Sequence, residues 1–258
     1  MSTGLVRTDI EDRVLTITID RPEVRNAVDG PTAEALYAAF QELDDSDAVD
    51  VGILTGSSGT FCAGADLKSV AGGAGPRVHD DMSLPGPLGP TRMMTSKPLI
   101  AAVEGFAVAG GLELALMCDL RVAASDAVFG VFCRRWGVPL VDGGTIRLPR
   151  LIGHSHAMDM ILTGRGVSGD EAKMMGLANR ICEPGAALTE AQNLARQLAG
   201  FPQGCLRSDR ESAYAQWDLD LDAALENETR LGLQVIRSGE TRDGATRFAQ
   251  GEGRHGAF

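Results

Sequence analysis

Val108-Ala109-Gly110-Gly111-Leu112-Glu113-Leu114-Ala115-Leu116-Met117-Cys118-Asp119 opens on a glycine pair and then sets one carboxylate, Glu113, inside an apolar run. A short apolar segment, Pro98 to Val103, precedes it and ends at Glu104-Gly105; another, Leu120 to Ala123, follows. Short apolar runs bounded by turn residues read as buried strands, and glycines ahead of a longer apolar run read as a helix start. The local reading is strand, helix from Leu112 to Cys118, strand. Pro98 to Met117 is also long enough to resemble a membrane span, but Glu104, Glu113 and glycines interrupt it, and an intramembrane carboxylate is costly. It reads as buried core, and no membrane partner is expected.

The same alternation extends upstream. Val14-Leu15-Thr16-Ile17-Thr18-Ile19-Asp20 has the period of two that marks a strand, and Arg21-Pro22 ends it. Pro31 to Leu43 has helical spacing at Ala35, Leu36, Ala39, Phe40 and Leu43. Val49 to Thr55 is a buried strand, and Asp66 is placed to begin a helix after Phe61-Cys62-Ala63-Gly64-Ala65. Gly72 to Pro90 reads as a loop that shapes a pocket. After Gly153 the pattern turns helical, through Glu171–Met175, Ala186–Leu198 and an interrupted Cys205–Ile236, with a polar, glycine-rich tail from Ser238. Strand-helix alternation followed by helices predicts an α/β protein with crossover connections.

The 258 residues carry a net charge of −11, which argues against nucleic acid as a partner, since a polyanion needs a basic face. It leaves open a small anionic ligand held by a few local cations. Five cysteines without a CxxC pair fit reduced thiols, and the N-terminus lacks an apolar signal region, so a cytoplasmic protein is expected. The four histidines have no metal-ligand spacing, so no metal is expected.

Cys62-Ala63-Gly64-Ala65-Asp66-Leu67 and Val108-Ala109-Gly110-Gly111-Leu112-Glu113 are both glycine turns leading into a helix, and neither has the pattern of a phosphate loop. Such turns offer free backbone N–H groups, and two aimed at one point would stabilise an oxyanion. The other reading is plain tight-turn glycine. Together with Arg21-Pro22, Asn26-Ala27, Leu54-Thr55-Gly56, Lys97-Pro98, Glu104-Gly105, Phe129-Gly130, Gly143-Gly144 and Thr163-Gly164-Arg165, in that order over residues 10 to 200, the chain resembles the crotonase, or enoyl-CoA hydratase/isomerase, superfamily.

The resemblance implies stacked ββα units forming a spiral core over residues 1–198 and a helical C-terminal region over 199–258 that packs into homotrimers or homohexamers. It implies an acyl-CoA substrate, coenzyme A being part of that substrate and no other cofactor being needed. The two N–H groups that bind the thioester oxygen fall on Ala65 and Gly110. The coenzyme A positions fall on Val24, Arg25, Ala63, Asp66, Leu67 and Lys68, with Arg25, Lys68 and a tail residue such as Arg254 as cations for phosphate; solvated surface charge is the competing reading.

The family's hydratases use two glutamates. The first falls on Glu113, whose apolar neighbours predict burial and a raised pKa. The second position holds Cys133, so the chain departs from a two-glutamate hydratase. Asp142, in Pro139-Leu140-Val141-Asp142-Gly143-Gly144, is the candidate replacement; dihydroxynaphthoyl-CoA synthases carry an aspartate before the same glycine pair. It reads equally as a turn residue capping the next helix. Arg134 or Arg135 could neutralise either carboxylate, and Trp136 reads as pocket wall or core. The expected function is enoyl-CoA hydration in fatty acid metabolism. The alternatives are double-bond isomerisation, aspartate-assisted C–C bond chemistry, or a silent CoA-binding subunit.

Overall fold

The computed structural model describes residues 4–253. The chain divides into two compact units, one ending at Leu198 and the other beginning at Ala199. In the first unit, β1 (Val6–Glu11) and β2 (Val14–Ile19) form an antiparallel hairpin. Next come α1 (Gly30–Asp45), β3 (Val51–Gly56), α2 (Leu67–Ala71), β4 (Leu99–Val103), β5 (Phe106–Val108) and α3 (Gly110–Met117). Then follow β6 (Leu120–Ala124), β7 (Val128–Gly130), α4 (Gly144–Thr163), β8 (Gly166–Ser168), α5 (Gly169–Met175), β9 (Arg180–Cys182) and α6 (Ala187–Ala199).

The larger sheet has the order β1-β2-β3-β4-β6-β9, parallel from β2 onward. Residues 51–55 of β3 and all of β4 are buried, as expected of parallel strands covered on both faces. The smaller sheet is β5-β7-β8, and a parallel bridge between Cys62 and Ala107 extends it to the turn after β3. Each turn of the chain therefore visits the large sheet, then the small one, then a helix: β3, Cys62 and α2; β4, β5 and α3; β6, β7 and α4. This is the expected stack of ββα units.

The motif Arg21-Pro22 … Asn26-Ala27 is the frame of the first turn. Asn26 is buried; its amide donates to Ser57 O (3.0 Å) and Thr60 O (2.6 Å), and its Oδ1 accepts from Arg21 N (2.9 Å). The Arg21 guanidinium pairs with Asp29 (2.9 Å) and Asp66 (3.2 Å), joining the starts of α1 and α2. Asp29 caps α1 through Thr32 N (3.0 Å), and the buried Leu36, Phe40 and Leu43 form its core face. Glu104, which ends β4, accepts from Gly185 N and Ala187 N at the start of α6.

Two stretches depart from the sequence reading. The helix expected after Gly153 begins at Gly144, and the chain breaks its helical path at Gly153 (φ 77°, ψ 159°). In the second unit, α7 (Gln203–Ala215) and α8 (Leu221–Ser238) are the interrupted helix, but part of the expected tail forms α9 (Glu240–Ala249). α9 buries no residue, so it has no apolar stripe to announce it; the Glu240 carboxylate instead accepts from Gly204 N (3.1 Å) and Cys205 N (2.7 Å) at the start of α7.

Candidate active site

The two glycine turns meet. A Cβ on Gly64, whose φ is +92°, would lie 2.8 Å from Gly110 N, so only glycine lets the turns approach this closely. Val28 N donates to Gly64 O (2.8 Å) and Asp66 N to Val28 O (2.8 Å), while Val108 N donates to Cys62 O (3.1 Å). These bonds fix the turns from both sides and pass over Ala65. Among the described residues, the N–H groups of Ala65 and Gly110 donate no hydrogen bond, and both residues line one cavity of about 340 Å3. Ala109, between β5 and α3, has φ 54° and ψ −124°. That strained conformation costs about 1–3 kcal/mol, and it is held by Ala109 N donating to Gly130 O (2.8 Å).

Glu113 sits one helical turn beyond Gly110 and is only 2% exposed. Its Oε1 accepts from Asp142 N (2.9 Å) and Gly144 N (2.8 Å). A Cβ on residue 144 would come within 2.9 Å of Oε1, so Gly144 brings its N–H to the carboxylate with nothing in the way. Burial first, and the Asp142 charge second, push the Glu113 carboxyl up to about 7, against the pull of the two N–H donors and Arg147.

Asp142 is buried, and its Oδ1 accepts from Leu88 N (3.0 Å) and from the Thr91 hydroxyl. It does not cap α4: the N-cap is Gly143, without a side-chain cap. Burial holds its carboxyl above the usual range, opposed by Thr91, Leu88 and the guanidiniums of Arg147 and Arg92. Both carboxylates thus have one oxygen fixed by protein donors. Their other oxygens, Glu113 Oε2 and Asp142 Oδ2, accept no hydrogen bond among the described residues, and both residues line the cavity.

The rest of the lining is largely apolar, with Leu67, Val70, Leu88, Phe132 and Val141 among it. Cys133 lines it too and is buried, its thiol pushed up by burial and then by the Glu113 charge. Trp136 is a lining residue and is 72% exposed, so it is pocket rim and not core. Arg134 and Arg135 turn away: Arg134 Nε donates to Ile161 O (3.2 Å), and Arg135 donates to Gly164 O (2.8 Å) and stacks on the Phe132 ring. Arg147 acts on both carboxylates and Arg92 on Asp142, and no local pattern in the sequence marks either.

Of the positions assigned to coenzyme A, Ala63 and Leu67 line the cavity. Ala63 N donates to Arg25 O (3.1 Å), which brings the turn after Pro22–Val24 against the strip from Ala63 to Lys68; Arg25 and Lys68 are exposed there. The Asp66 side chain is occupied, accepting from Lys68 N, Ser69 N and Arg21. Arg254 lies outside the described residues. Among the described residues, no cluster of three His, Cys, Asp or Glu side chains could hold a metal ion, and no helix is long and apolar enough to cross a membrane.

A model of the enoyl-CoA hydratase/isomerase family matches residues 9–255. The chain is 36% identical over 247 residues to the enoyl-CoA hydratase EchA19 of Mycobacterium tuberculosis, covering 92% of this chain and 90% of that protein. It is 35% identical over 250 residues to a probable enoyl-CoA hydratase of Rhizobium meliloti, covering 96% of each. Among solved structures, enoyl-CoA hydratase EchA1 from Mycobacterium marinum superposes with a TM-score of 0.90 at 38% identity, covering 96% of each chain.

Proposed function

Because the chain belongs to the enoyl-CoA hydratase/isomerase family, we propose that it is an acyl-CoA enzyme of the hydratase type, acting through a thioester enolate. The observation that carries this is Glu113: a buried carboxyl with a pKa of about 7, one oxygen anchored, in the same cavity as two undonated N–H groups. Such a group gives and takes a proton at neutral pH.

In this reading the acyl group fills the apolar cavity and the thioester oxygen lies between Ala65 N and Gly110 N. Ionised Asp142 takes a proton from water as the water oxygen bonds to the β-carbon. The electron pair of the double bond moves toward the thioester oxygen, where the two N–H groups stabilise it. Each donor is worth about 3–4 kcal/mol by analogy with other oxyanion holes. Glu113, kept protonated by burial and by the Asp142 charge, delivers a proton to the α-carbon; the two carboxyls divide the acid and base roles. Cys133 remains a neutral thiol, as its upward shift requires. The exposed Arg25 and Lys68 serve the phosphates of coenzyme A.

Isomerisation is the second reading, favoured by Cys133 standing where a second glutamate is expected: one carboxylate suffices to move a proton between two carbons. Spectrophotometry separates the two. Loss of the conjugated absorbance of crotonyl-CoA or longer 2-enoyl-CoAs is expected, and no loss at any chain length would refute hydration. A rise in that absorbance from 3-enoyl-CoAs, without any hydration, would establish isomerisation. Asp142→Asn is expected to lower kcat roughly a hundredfold with the fold retained; unchanged kinetics would remove Asp142 from the chemistry.

The same proposal covers assembly and location. Exposed Leu221, Leu225 and Ile236 on α8 support a homotrimer or homohexamer built through residues 199–258. The cysteines form no disulfide among the described residues, which supports a reducing, cytoplasmic setting.

A further inference from the structure

Arg147 lies in the second turn of α4 and does not line the cavity. Its Nη1 donates to Asp142 O (2.9 Å) and its Nη2 to Thr91 O (2.9 Å). The guanidinium rests on Gly143, where a Cβ would collide with Nη1. It therefore spans two segments that are distant in sequence. One segment supplies Leu88 N and the Thr91 hydroxyl to Asp142; the other supplies Asp142 N and Gly144 N to Glu113.

We propose that Arg147 is the positioning residue of the site, a two-pronged clamp that sets the geometry of both carboxyls and the pH range in which they exchange protons, without touching substrate. This deepens the hydratase-type reading and rests on it. The charged and titratable groups around the pair are few. From the segment before β4, Arg92 faces Asp142; from the turn after β7, Cys133 faces Glu113; the two carboxyls face each other across the junction of α3 and α4. Arg147 is the cation that acts on both carboxyls. The side chain of Arg92 is engaged elsewhere, donating to His79 O (2.6 Å), Asp81 O (2.8 Å) and Leu84 O (3.4 Å).

The planar fork explains why arginine stands here. Two carbonyls on different segments are reached by parallel N–H donors, which a lysine ammonium on a flexible stem cannot reproduce with the same geometry. Charge and clamp are therefore separable. Arg147→Lys keeps the cation and loses the fork; Arg147→Gln loses the cation.

The test uses the full-length protein with Arg147→Gln and Arg147→Lys. Two readouts are taken: the pH profile of enoyl-CoA turnover, and the titration of the Glu113 carboxyl itself, followed by 13C-carboxyl NMR without substrate and assigned with Glu113→Gln. In Arg147→Gln the Glu113 midpoint is expected to rise by about one pH unit. kcat should fall about tenfold or more with KM changed less than about threefold. Arg147→Lys should restore the midpoint but only part of kcat. Unmoved midpoints in Arg147→Gln, or equal loss of kcat in both variants at wild-type midpoints, would overturn the proposal. If Arg147→Gln does not fold, the lysine variant alone decides: full kcat there would reject the clamp. The carboxyl titration needs no turnover, so a shifted Glu113 in a protein without hydratase activity would reject the proposed reaction and leave the clamp standing.

Discussion

The two ends of α3 are built in opposite ways. At its N-terminus the backbone is strained at Ala109, and Gly110 N donates to no group among the described residues, beside a buried acid with a raised pKa. At its C-terminus Arg121, only 1% exposed, donates to Ala115 O (3.2 Å), Cys118 O (2.6 Å) and Asp119 O (3.2 Å), and reaches Leu177 O (2.6 Å) as well. The last carbonyls of a helix lack partners within it, and a buried guanidinium supplies them here. One helix thus leaves donors open where chemistry needs them and satisfies acceptors where stability needs it. The contrast predicts that losing the acid at the first end costs rate and relieving its strain adds stability, while losing the guanidinium at the second end costs stability alone.

The largest effect is expected from Glu113→Gln, a fall in kcat of roughly a thousandfold. The same variant probes the cost of that end. A carboxyl whose folded pKa is about 7 binds its proton more tightly in the folded chain than in the unfolded one, where the value is about 4.5. The Glu113 contribution to stability therefore falls as pH rises from about 4.5 to about 7, by about 3 kcal/mol, and stays reduced above that range. In Glu113→Gln this contribution should vanish, leaving the part that comes from the raised Asp142 carboxyl. Urea unfolding across that pH range measures it, and an unaltered pH dependence would refute burial as the source of the shift.

Arg121→Met comes next. It leaves buried carbonyls without donors and should cost about 3–5 kcal/mol, read as a lowered urea midpoint, with kcat per folded molecule close to wild type. A large loss of kcat in the folded fraction would break the division between the two ends. The smallest effect is Ala109→Gly. Relief of the positive φ should exceed the entropy cost of glycine and stabilise the chain by about 1 kcal/mol, with kcat within about threefold. A loss of stability in a thermal melt would show that Ala109 carries no strain.

The N-terminal end was largely legible in the sequence and the C-terminal end was not. Glycine pairs ahead of an apolar run, and a lone carboxylate within it, are local signals, so Ala65, Gly110 and Glu113 could be named from them together with the family resemblance. Arg121, Thr91 and Arg147 act on backbone atoms whose place is set by packing: Arg121 meets Leu177 across 56 residues, and Arg147 meets Thr91 across 56. No spacing rule encodes such pairs. Arg134 and Arg135 were candidates because they lie near Cys133 in sequence, yet the 3-10 turn Phe132–Trp136 points them toward residues 161 and 164. The three-residue strands β5, β7, β8 and β9 are too short to show a period of two, and the order of the sheets emerges only when all are paired.

Trp136, at the rim of the cavity, gives the protein a built-in optical reporter. The chain has two tryptophans, and the other, Trp217, belongs to the second unit. In Trp217→Phe the tryptophan emission comes from one indole, 72% exposed to water and part of the lining of the cavity. An acyl chain entering the cavity displaces water from that ring and shifts its emission to the blue, so chain-length preference can be read by titration, without turnover or label.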